Sequence, residues 1–522
     1  MANYEIMKDL PIGVQTFKNM RENDYVYVDK TSFIYPIAKK NNGSYFLSRP
    51  RRFGKSLLLD TFRELFLGNE QLFKGLWIHD KWDWSKTYPV IHLSFDKMDY
   101  VDMGLDNALS NRLKKVAVQH HIELLESTYK MQFEELLQKL FEKKGKVVLL
   151  VDEYDKPIID YLEKNELPQA KKNQKIMKNF YSVLKGSEAY LRFFFVTGIS
   201  KFSRVSIFSD LNHKTDLTMH PSFTTAVGYT QQELEFYFEE HLQAAQETLE
   251  MSREVLLEEM RVWYNGYSWD GINKLYNPFG ILNFFDQKWL LNFWLTSGMP
   301  SFLVNVMRDK LVFDVENTKI SIIELEKYDI ENLDLVPLLF QTGYLTIKSI
   351  DRKTREMVLD YPNSEVRESM YMYMIDSLAK NEQRSGAGIT NKDLLKAFQA
   401  ADLKRIKELL NALLAGLPSE AYDKKSEGLF HGLIHFIFQL LGMYIKSEVH
   451  SSRGRADSIV ETATHVFIFE FKFNRSAEQA LTQIKDNKYA DKYRADNKII
   501  IGIGVNFKSK DKEIDGWETE IL

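Results

Sequence analysis

Short apolar runs alternate, along the N-terminal part of the chain, with stretches in which apolar positions recur every third or fourth residue. The run Tyr45 to Ser48 leads into Arg49-Pro50-Arg51-Arg52-Phe53-Gly54-Lys55-Ser56, after which Leu57, Leu58, Leu59, Phe62, Leu65 and Phe66 keep helical spacing. The pattern predicts a strand, a loop and a helix in that order. Further strand-like runs are Val90 to Phe95, Val147 to Val151 and Phe193 to Thr197, with helical stretches such as Phe133 to Phe141 between them. The expected core is therefore a parallel sheet with helices on both faces.

Beyond Leu217 the strand signal thins. Gln231 to Leu242, Ser252 to Met260 and Gly280 to Leu303 read as helices, a helical extension or lid, and Gly343 to Ile347 with Met357 to Tyr361 reads as a small hairpin. The polar, glycine-bearing segment Asn381 to Gly388 reads as a linker or exposed loop. After it come helices over Asn391 to Leu414 and Gly428 to Ile445, then strands around Ala456 to Val460, Val466 to Phe473 and Lys498 to Val505. The division expected is a P-loop domain over residues 1–280, a helical and small-strand middle over 281–380, and a separate α/β unit over 390–522.

Length and composition agree with several cores. The 522 residues exceed what one hydrophobic core usually organises, and 44% hydrophobic with 13% aromatic residues argue against disorder. Lys plus Arg number 69 against 73 Asp plus Glu, so no global basic field is present and any nucleic-acid contact must use local patches. The chain has no cysteine, which removes disulfides and thiolate metal sites and fits a reducing cytoplasm. Its opening residues lack the apolar stretch of a signal peptide. The longest apolar stretch, Leu433 to Ile445, is too short to cross a bilayer and carries His435 and Gln439; no membrane partner is expected.

A P-loop follows G-x-x-x-x-G-K-[ST], because backbone N–H groups cradle phosphates, the lysine meets β/γ oxygens and the hydroxyl holds Mg²⁺. Gly54, Lys55 and Ser56 match, while Arg49 occupies the first glycine position. Val147-Val148-Leu149-Leu150-Val151-Asp152-Glu153 has the form of a Walker B strand, in which Asp152 would hold Mg²⁺ through water and Glu153 would orient or deprotonate the attacking water. Thr197, at the end of the next strand, is expected where a polar residue senses the γ-phosphate. Arg49, Arg51 and Arg52 could add charge around the phosphates, bind nucleic acid, or be solvated. Arg204 reads as a surface arginine more readily than as a transition-state one.

These residues resemble a family. Phe46 to Leu57, with Tyr27-Val28-Asp29-Lys30-Thr31 upstream and Val151-Asp152-Glu153-Tyr154-Asp155 downstream, looks like the bacterial AAA-ATPase-like proteins, whose own form of the motif is arginine-rich. Trp263-Tyr264-Asn265-Gly266-Tyr267, Tyr276-Asn277-Pro278-Phe279 and Tyr361 to Arg367 extend the resemblance over nearly the whole chain. It implies that Arg49, Pro50, Arg51, Arg52, Phe53, Gly54, Lys55, Ser56 and Leu57, with Asp152 and Thr197, bind ATP. ATPases of this sort often need a neighbouring subunit's arginine, which makes a homo-oligomer, as a ring or dimer, a further expectation.

A second chemistry is written near the C-terminus. Metal-dependent phosphodiester cleavage needs carboxylates around Mg²⁺ and a lysine that helps activate water. Asp457 opens the strand Asp457-Ser458-Ile459-Val460, and Glu470-Phe471-Lys472 lies in the next, where period-2 geometry puts Glu470 and Lys472 on one face. The connection around Thr462 to Thr464 is short enough for a hairpin. On spacing alone an ordinary charged hairpin explains this as well. The region is similar to the PD-(D/E)XK nuclease domain commonly fused to such ATPases, and that resemblance adds Glu427 as a further acid, with Gln483 and Tyr489 reaching substrate or metal. His431, His435 and His465 read as packed or solvated rather than as ligands.

The expectation is thus an α/β multidomain protein, a P-loop NTPase plus a restriction-endonuclease-like domain, in which ATP gates Mg²⁺-dependent cleavage of nucleic acid, DNA favoured over RNA. Two rivals stay open: an inactive nuclease fold that clamps nucleic acid, and a nucleotide-dependent scaffold or switch.

Overall fold

The computed structural model describes residues 7–163, 165–200, 215–294, 303, 306–307, 315–325, 333–379, 391–415, 458–494, 498–508 and 513–522. Its contacts divide the chain into two compact units, one of Met1–Ser297 with Val315–Glu365 and one of Gly298–Asp314 with Val366–Leu522. Among the described residues no helix is long and apolar enough to cross a membrane.

The first unit is built on five parallel strands, β1 (Gly43–Ser48), β2 (Val90–Ser94), β3 (Val147–Asp152), β4 (Leu191–Gly198) and β5 (Thr215–Asp216), in the order β2-β3-β4-β1-β5. β3 and β4 are buried along their whole length, as helices on both faces require, and for that reason they read as unbroken apolar runs. Alternate residues of β4 serve opposite layers. Phe193 and Phe195 meet Phe62 of the helix Lys55–Phe66 at 5.1 Å each, whereas Phe194 meets Tyr181 of the helix Leu167–Gly186 at 6.5 Å. β5 was not foreseen, since two residues are too few to carry a period.

Past the sheet a second apolar core gathers Val26, Val28, Leu234, Phe238, Tyr264 and Phe284. The stretch expected as one helix from Gln231 is two, Gln231–Tyr237 and Glu239–Leu249; Phe238 at the break is buried and stacks on Phe285 with ring centroids 5.3 Å apart. The helix expected over Gly280 to Leu303 is Pro278–Gln287, stopped by Lys288 at φ 49°. A three-stranded antiparallel sheet, β6 (Thr318–Ser321), β7 (Thr346–Asp351) and β8 (Glu356–Asp360), completes this unit in the order β6-β8-β7. β7 starts later than the hairpin expected from Gly343, because Gly343 closes the helix Leu335–Thr342 at φ 90°. A Cβ on Gly343 would lie 2.7 Å from the Pro50 ring, so that turn rests directly on the phosphate loop.

The second unit holds a mixed sheet of β9 (Ser458–Glu461), β10 (His465–Phe473), β11 (Ile499–Lys508) and β12 (Glu513–Ile521), ordered β12-β11-β10-β9. β9 and β10 form the expected hairpin, β10 and β11 run parallel, and β12 pairs antiparallel at the edge. β12 is largely exposed, so it lacks the apolar alternation that would have announced it. The helix expected over Asn391 to Leu414 breaks into Asn391–Gln399 and Leu403–Ala415, with Ala401 left-handed at φ 52°. The segment Asn381 to Gly388 and the helix expected over Gly428 to Ile445 lie outside the described residues.

Phe193, fully buried between β1 and the helix Lys55–Phe66, should test this core. Phe193→Ala is expected to cost about 3–5 kcal/mol, read as an earlier urea midpoint for the transition of the first unit.

Candidate functional site

The chain leaves β1 at Ser48 and re-enters a helix at Lys55, and the loop between them faces the C-terminal ends of β3 and β4. In a parallel sheet this edge is where ligands bind, because successive connections diverge there and open a crevice. Gly54 at φ 87° is the N-cap of the helix, and Arg52 at φ 63° is also left-handed. The Lys55 ammonium is buried and donates to the carbonyls of Arg49 at 3.0 Å and Pro50 at 2.7 Å. Burial lowers its pKa, and the neighbouring Asp152, Glu153 and Asp155 work against that by favouring the charged form.

Arg49 does not line the cavity that the loop from Arg51 onward faces. Its side chain is fully buried, with Nη1 donating to Ser48 O at 2.8 Å and Thr218 O at 2.9 Å, and Nη2 to Phe223 O at 3.1 Å. The guanidinium lies 3.9 Å from the centre of the Trp269 ring. Of the three alternatives open for this residue, then, added phosphate charge, nucleic-acid contact and a solvated surface, none describes a fully buried side chain; it anchors the loop from beneath. Phe53, also fully buried, sits edge-on to Tyr267 and Trp269 at 4.8 and 5.4 Å. Arg51, Arg52, Gly54, Ser56 and Leu57 all line a cavity of about 450 Å³.

Across the cavity stands the acidic end of β3. Asp152 is buried, and its Oδ1 accepts from the Thr197 hydroxyl at 2.6 Å and from the Glu153 amide at 3.1 Å. Thr197 was expected at the γ-phosphate; it is fully buried, and its hydroxyl instead aims Asp152. Glu153 takes a left-handed φ of 52° that turns it into the cavity, where burial raises its pKa, Lys55 lowers it, and Asp152 and Asp96 raise it further. Asp155 is buried and accepts from the Ser200 amide and hydroxyl, each at 2.6 Å. The end of β4 and the residues just past it therefore fix both Asp152 and Asp155. Arg204 lies outside the described residues.

In the second unit Glu470 and Lys472 share one face of β10, as their spacing requires. Lys472 Nζ donates to Glu470 Oε1 at 3.1 Å and to Gln483 Oε1 at 2.6 Å, so three of the expected site residues meet. Gln483 reaches that far because its helix, Ala477–Asp486, lies on the sheet with no side chain between: a Cβ on Gly504, opposite Glu470 in β11, would fall 2.2 Å from Ala477 O. Tyr489 does not join them. It falls beyond the helix and is packed in an apolar cluster with Ile459, Ile468 and Ile484. His465 stacks on Phe467 at 5.6 Å, in keeping with a packed role. Asp457, Glu427, His431 and His435 lie outside the described residues, and among those described no group of three or more His, Cys, Asp or Glu could hold a metal ion.

Residues 11–208 match the family model described as "Predicted AAA-ATPase". A protein of Azotobacter chroococcum mcd 1, described as "Uncharacterized protein in vnfD 5'region", is 36% identical over 532 residues, spanning 99% of each chain. The chain belongs to this AAA-ATPase-like family. Residues 425–517 match the PD-(D/E)XK nuclease superfamily, so the AAA-ATPase-like protein carries a nuclease-superfamily domain at its C-terminal end.

Several site residues of this AAA-ATPase-like protein escaped the sequence reading. Asp96 lines the cavity from the end of β2, while Ser200, Thr218 and Trp269 act from behind it by holding Asp155 and Arg49. The runs Tyr27 to Lys30 and Tyr276 to Phe279 stood out as family features, yet nothing local to them pointed to the phosphate loop. Arg49→Lys is expected to destabilise the first unit by about 3 kcal/mol, since one ammonium cannot serve the carbonyls of Ser48, Thr218 and Phe223 together and buried carbonyls left unpaired are costly. Thermal unfolding checks this; an unchanged midpoint would contradict the anchoring role.

Proposed function

We propose that the chain is an ATPase coupled to a Mg²⁺-dependent nuclease domain that acts on nucleic acid, DNA in preference to RNA. The observation that carries the ATPase reading is the pairing, across one cavity, of a desolvated Lys55 with Glu153, beside an Asp152 whose carboxylate Thr197 holds in place. An anion is what a buried ammonium lacking a carboxylate hydrogen bond selects. Lys55 exchanges its two loop carbonyls for phosphate oxygens, and backbone amides of Arg52 to Ser56 complete the cradle. Ser56 and Asp152 would hold Mg²⁺, which supplies charge neutralisation to the β/γ-phosphates. Glu153 orients the attacking water and accepts its proton.

The raised pKa of Glu153 gives hydrolysis a direction in pH. The base works only when ionised, so turnover should fall as pH drops through a value higher than that of an ordinary glutamate. Lys55→Ala is expected to weaken ATP binding about 100-fold, checked by titration calorimetry. Glu153→Gln should leave binding intact and lower kcat by about 10²–10⁴; unchanged turnover would assign the chemistry elsewhere.

For the nuclease the support is the Glu470, Lys472 and Gln483 cluster, in which a lysine is aimed by two partners on a sheet face. Asp457, Glu470 and Glu427 would hold Mg²⁺, Lys472 would stabilise the charge that develops on the phosphate, and Gln483 keeps Lys472 directed. Cleavage of labelled single- and double-stranded DNA and RNA, with and without ATP, should be lost in Lys472→Ala. Binding that survives this change, with no substrate cleaved by the unaltered protein, would support the clamp; absence of nucleic-acid binding would support the scaffold.

A further inference from the structure

The helix Leu167–Gly186, between β3 and β4 in the chain, carries Lys171, Lys172, Lys175, Lys178 and Lys185 and no acid in its 20 residues. In a chain whose formal net charge is -4, this is a local concentration of one sign. At 3.6 residues per turn, Lys171, Lys175, Lys178 and Lys185 fall within an arc of about 80°, and Lys172 flanks them. All five are exposed. From Lys171 to Lys185 the row runs about 21 Å along the helix. The acids nearest to it in the chain, Glu166 and Glu188, stand at the N-cap and past the C-terminal end.

The opposite side of the helix fixes which way this row points. Ala170, Met177, Phe180 and Leu184 are buried, and Phe180 stacks on Phe133 with ring centroids 4.3 Å apart. The buried Asn173 side chain donates to Pro157 O at 2.6 Å. The lysine face is therefore held outward by the core behind it. Segments packed nearby pair their lysines: Lys139 meets Glu135 at 2.7 Å, and Lys156 meets Asp160 at 2.8 Å. Lys172, Lys175, Lys178 and Lys185 make no side-chain ion pair or hydrogen bond among the described residues. Like charges three and four residues apart repel, and a line of anions laid along the helix removes that repulsion.

We infer that this lysine face of the first unit docks the phosphate backbone of double-stranded nucleic acid, without reading its sequence. A duplex carries one negative charge per about 1.7 Å of axis, so the row is long enough to follow about six base pairs. Ammonium groups meeting phosphates position a duplex and leave its bases unread. Single-strand platforms add aromatic rings on which bases stack, whereas Phe180 and Tyr181 of this helix are both buried. A helix lying on a membrane would immerse its apolar face, and here that face is spent on the core. The surface lies on a different element from the phosphate loop and from Lys472, and it rests on neither site's chemistry.

The test measures binding of a short labelled duplex, once as DNA and once as RNA, to the full chain without divalent metal, by fluorescence anisotropy over a range of salt. The combined Lys172→Gln, Lys175→Gln, Lys178→Gln and Lys185→Gln variant should lower the slope of log affinity against log salt by about 3–4 and weaken binding at least about tenfold. Lys→Arg at the same four positions should keep both slope and affinity, because the charge is kept. A second reading needs no variant: acetylation of these lysines in the unaltered protein, followed by mass spectrometry, should slow when either duplex is added, and the one that protects at the lower concentration is the preferred partner. Lys55→Ala and Lys472→Ala should leave this protection in place; its loss in either would assign the contact to those sites and overturn the proposal. An unchanged salt slope with no protection would overturn it as well. So would equal protection by a single strand of the same length, protection by phosphatidylserine vesicles where duplexes give none, or protection that appears on raising the protein concentration alone, which would mark a second copy of the chain as the partner.

Discussion

A guanidinium taken wholly out of water must replace its hydration, and Arg49 does so with the carbonyls of Ser48, Thr218 and Phe223 and the face of Trp269. Everything the phosphate loop does depends on that arrangement. Because the side chain leaves through the floor of the loop, its backbone stays free on the upper side, where the carbonyls of Arg49 and Pro50 meet Lys55. A glycine at the first loop position solves the same problem by having no side chain; this chain solves it by burying one. The stabilisation is concentrated in a single residue, whose partners come from β1, the stretch after β5 and the loop carrying Trp269.

The opposite wall is organised by the same logic of carboxylates held by short hydrogen bonds. Thr197 fixes Asp152 and Ser200 fixes Asp155, so two acids removed from water are paired with donors rather than with cations. Glu153, between them in sequence, takes no such bond from β4 and turns into the cavity through a left-handed backbone. Buried and cavity-facing carboxylates thus alternate within four consecutive residues, Asp152 to Asp155.

Much of this could be read from the chain beforehand. β3 and β4 are buried along their whole length and β1 and β2 over most of theirs, so their apolar runs were legible, and Gly54-Lys55-Ser56 with Asp152-Glu153 is tied to local spacing. Glu470 and Lys472 were likewise legible, because a two-residue period fixes which side of a strand a residue occupies. What could not be read was long-range: that Arg49 points down toward Trp269, that Thr197 serves Asp152, and that Tyr489 packs inside an apolar cluster. Each depends on contact between segments whose separation in sequence carries no periodic signal. Short or exposed strands such as β5 and β12 failed for the converse reason, having too little buried surface to leave a pattern.

Gly343 shows how tightly such distant segments are bound. With its α-hydrogens against the Pro50 ring, the turn that closes the helix Leu335–Thr342 leaves no room for a larger residue unless position 50 shrinks or shifts. The two sites, almost three hundred residues apart, are therefore free to drift only as a pair. In evolutionary terms the turn at Gly343 and the loop at Pro50 should be inherited together, and a chimera that brought a larger residue to position 343 while keeping Pro50 would carry a steric clash between that side chain and the Pro50 ring.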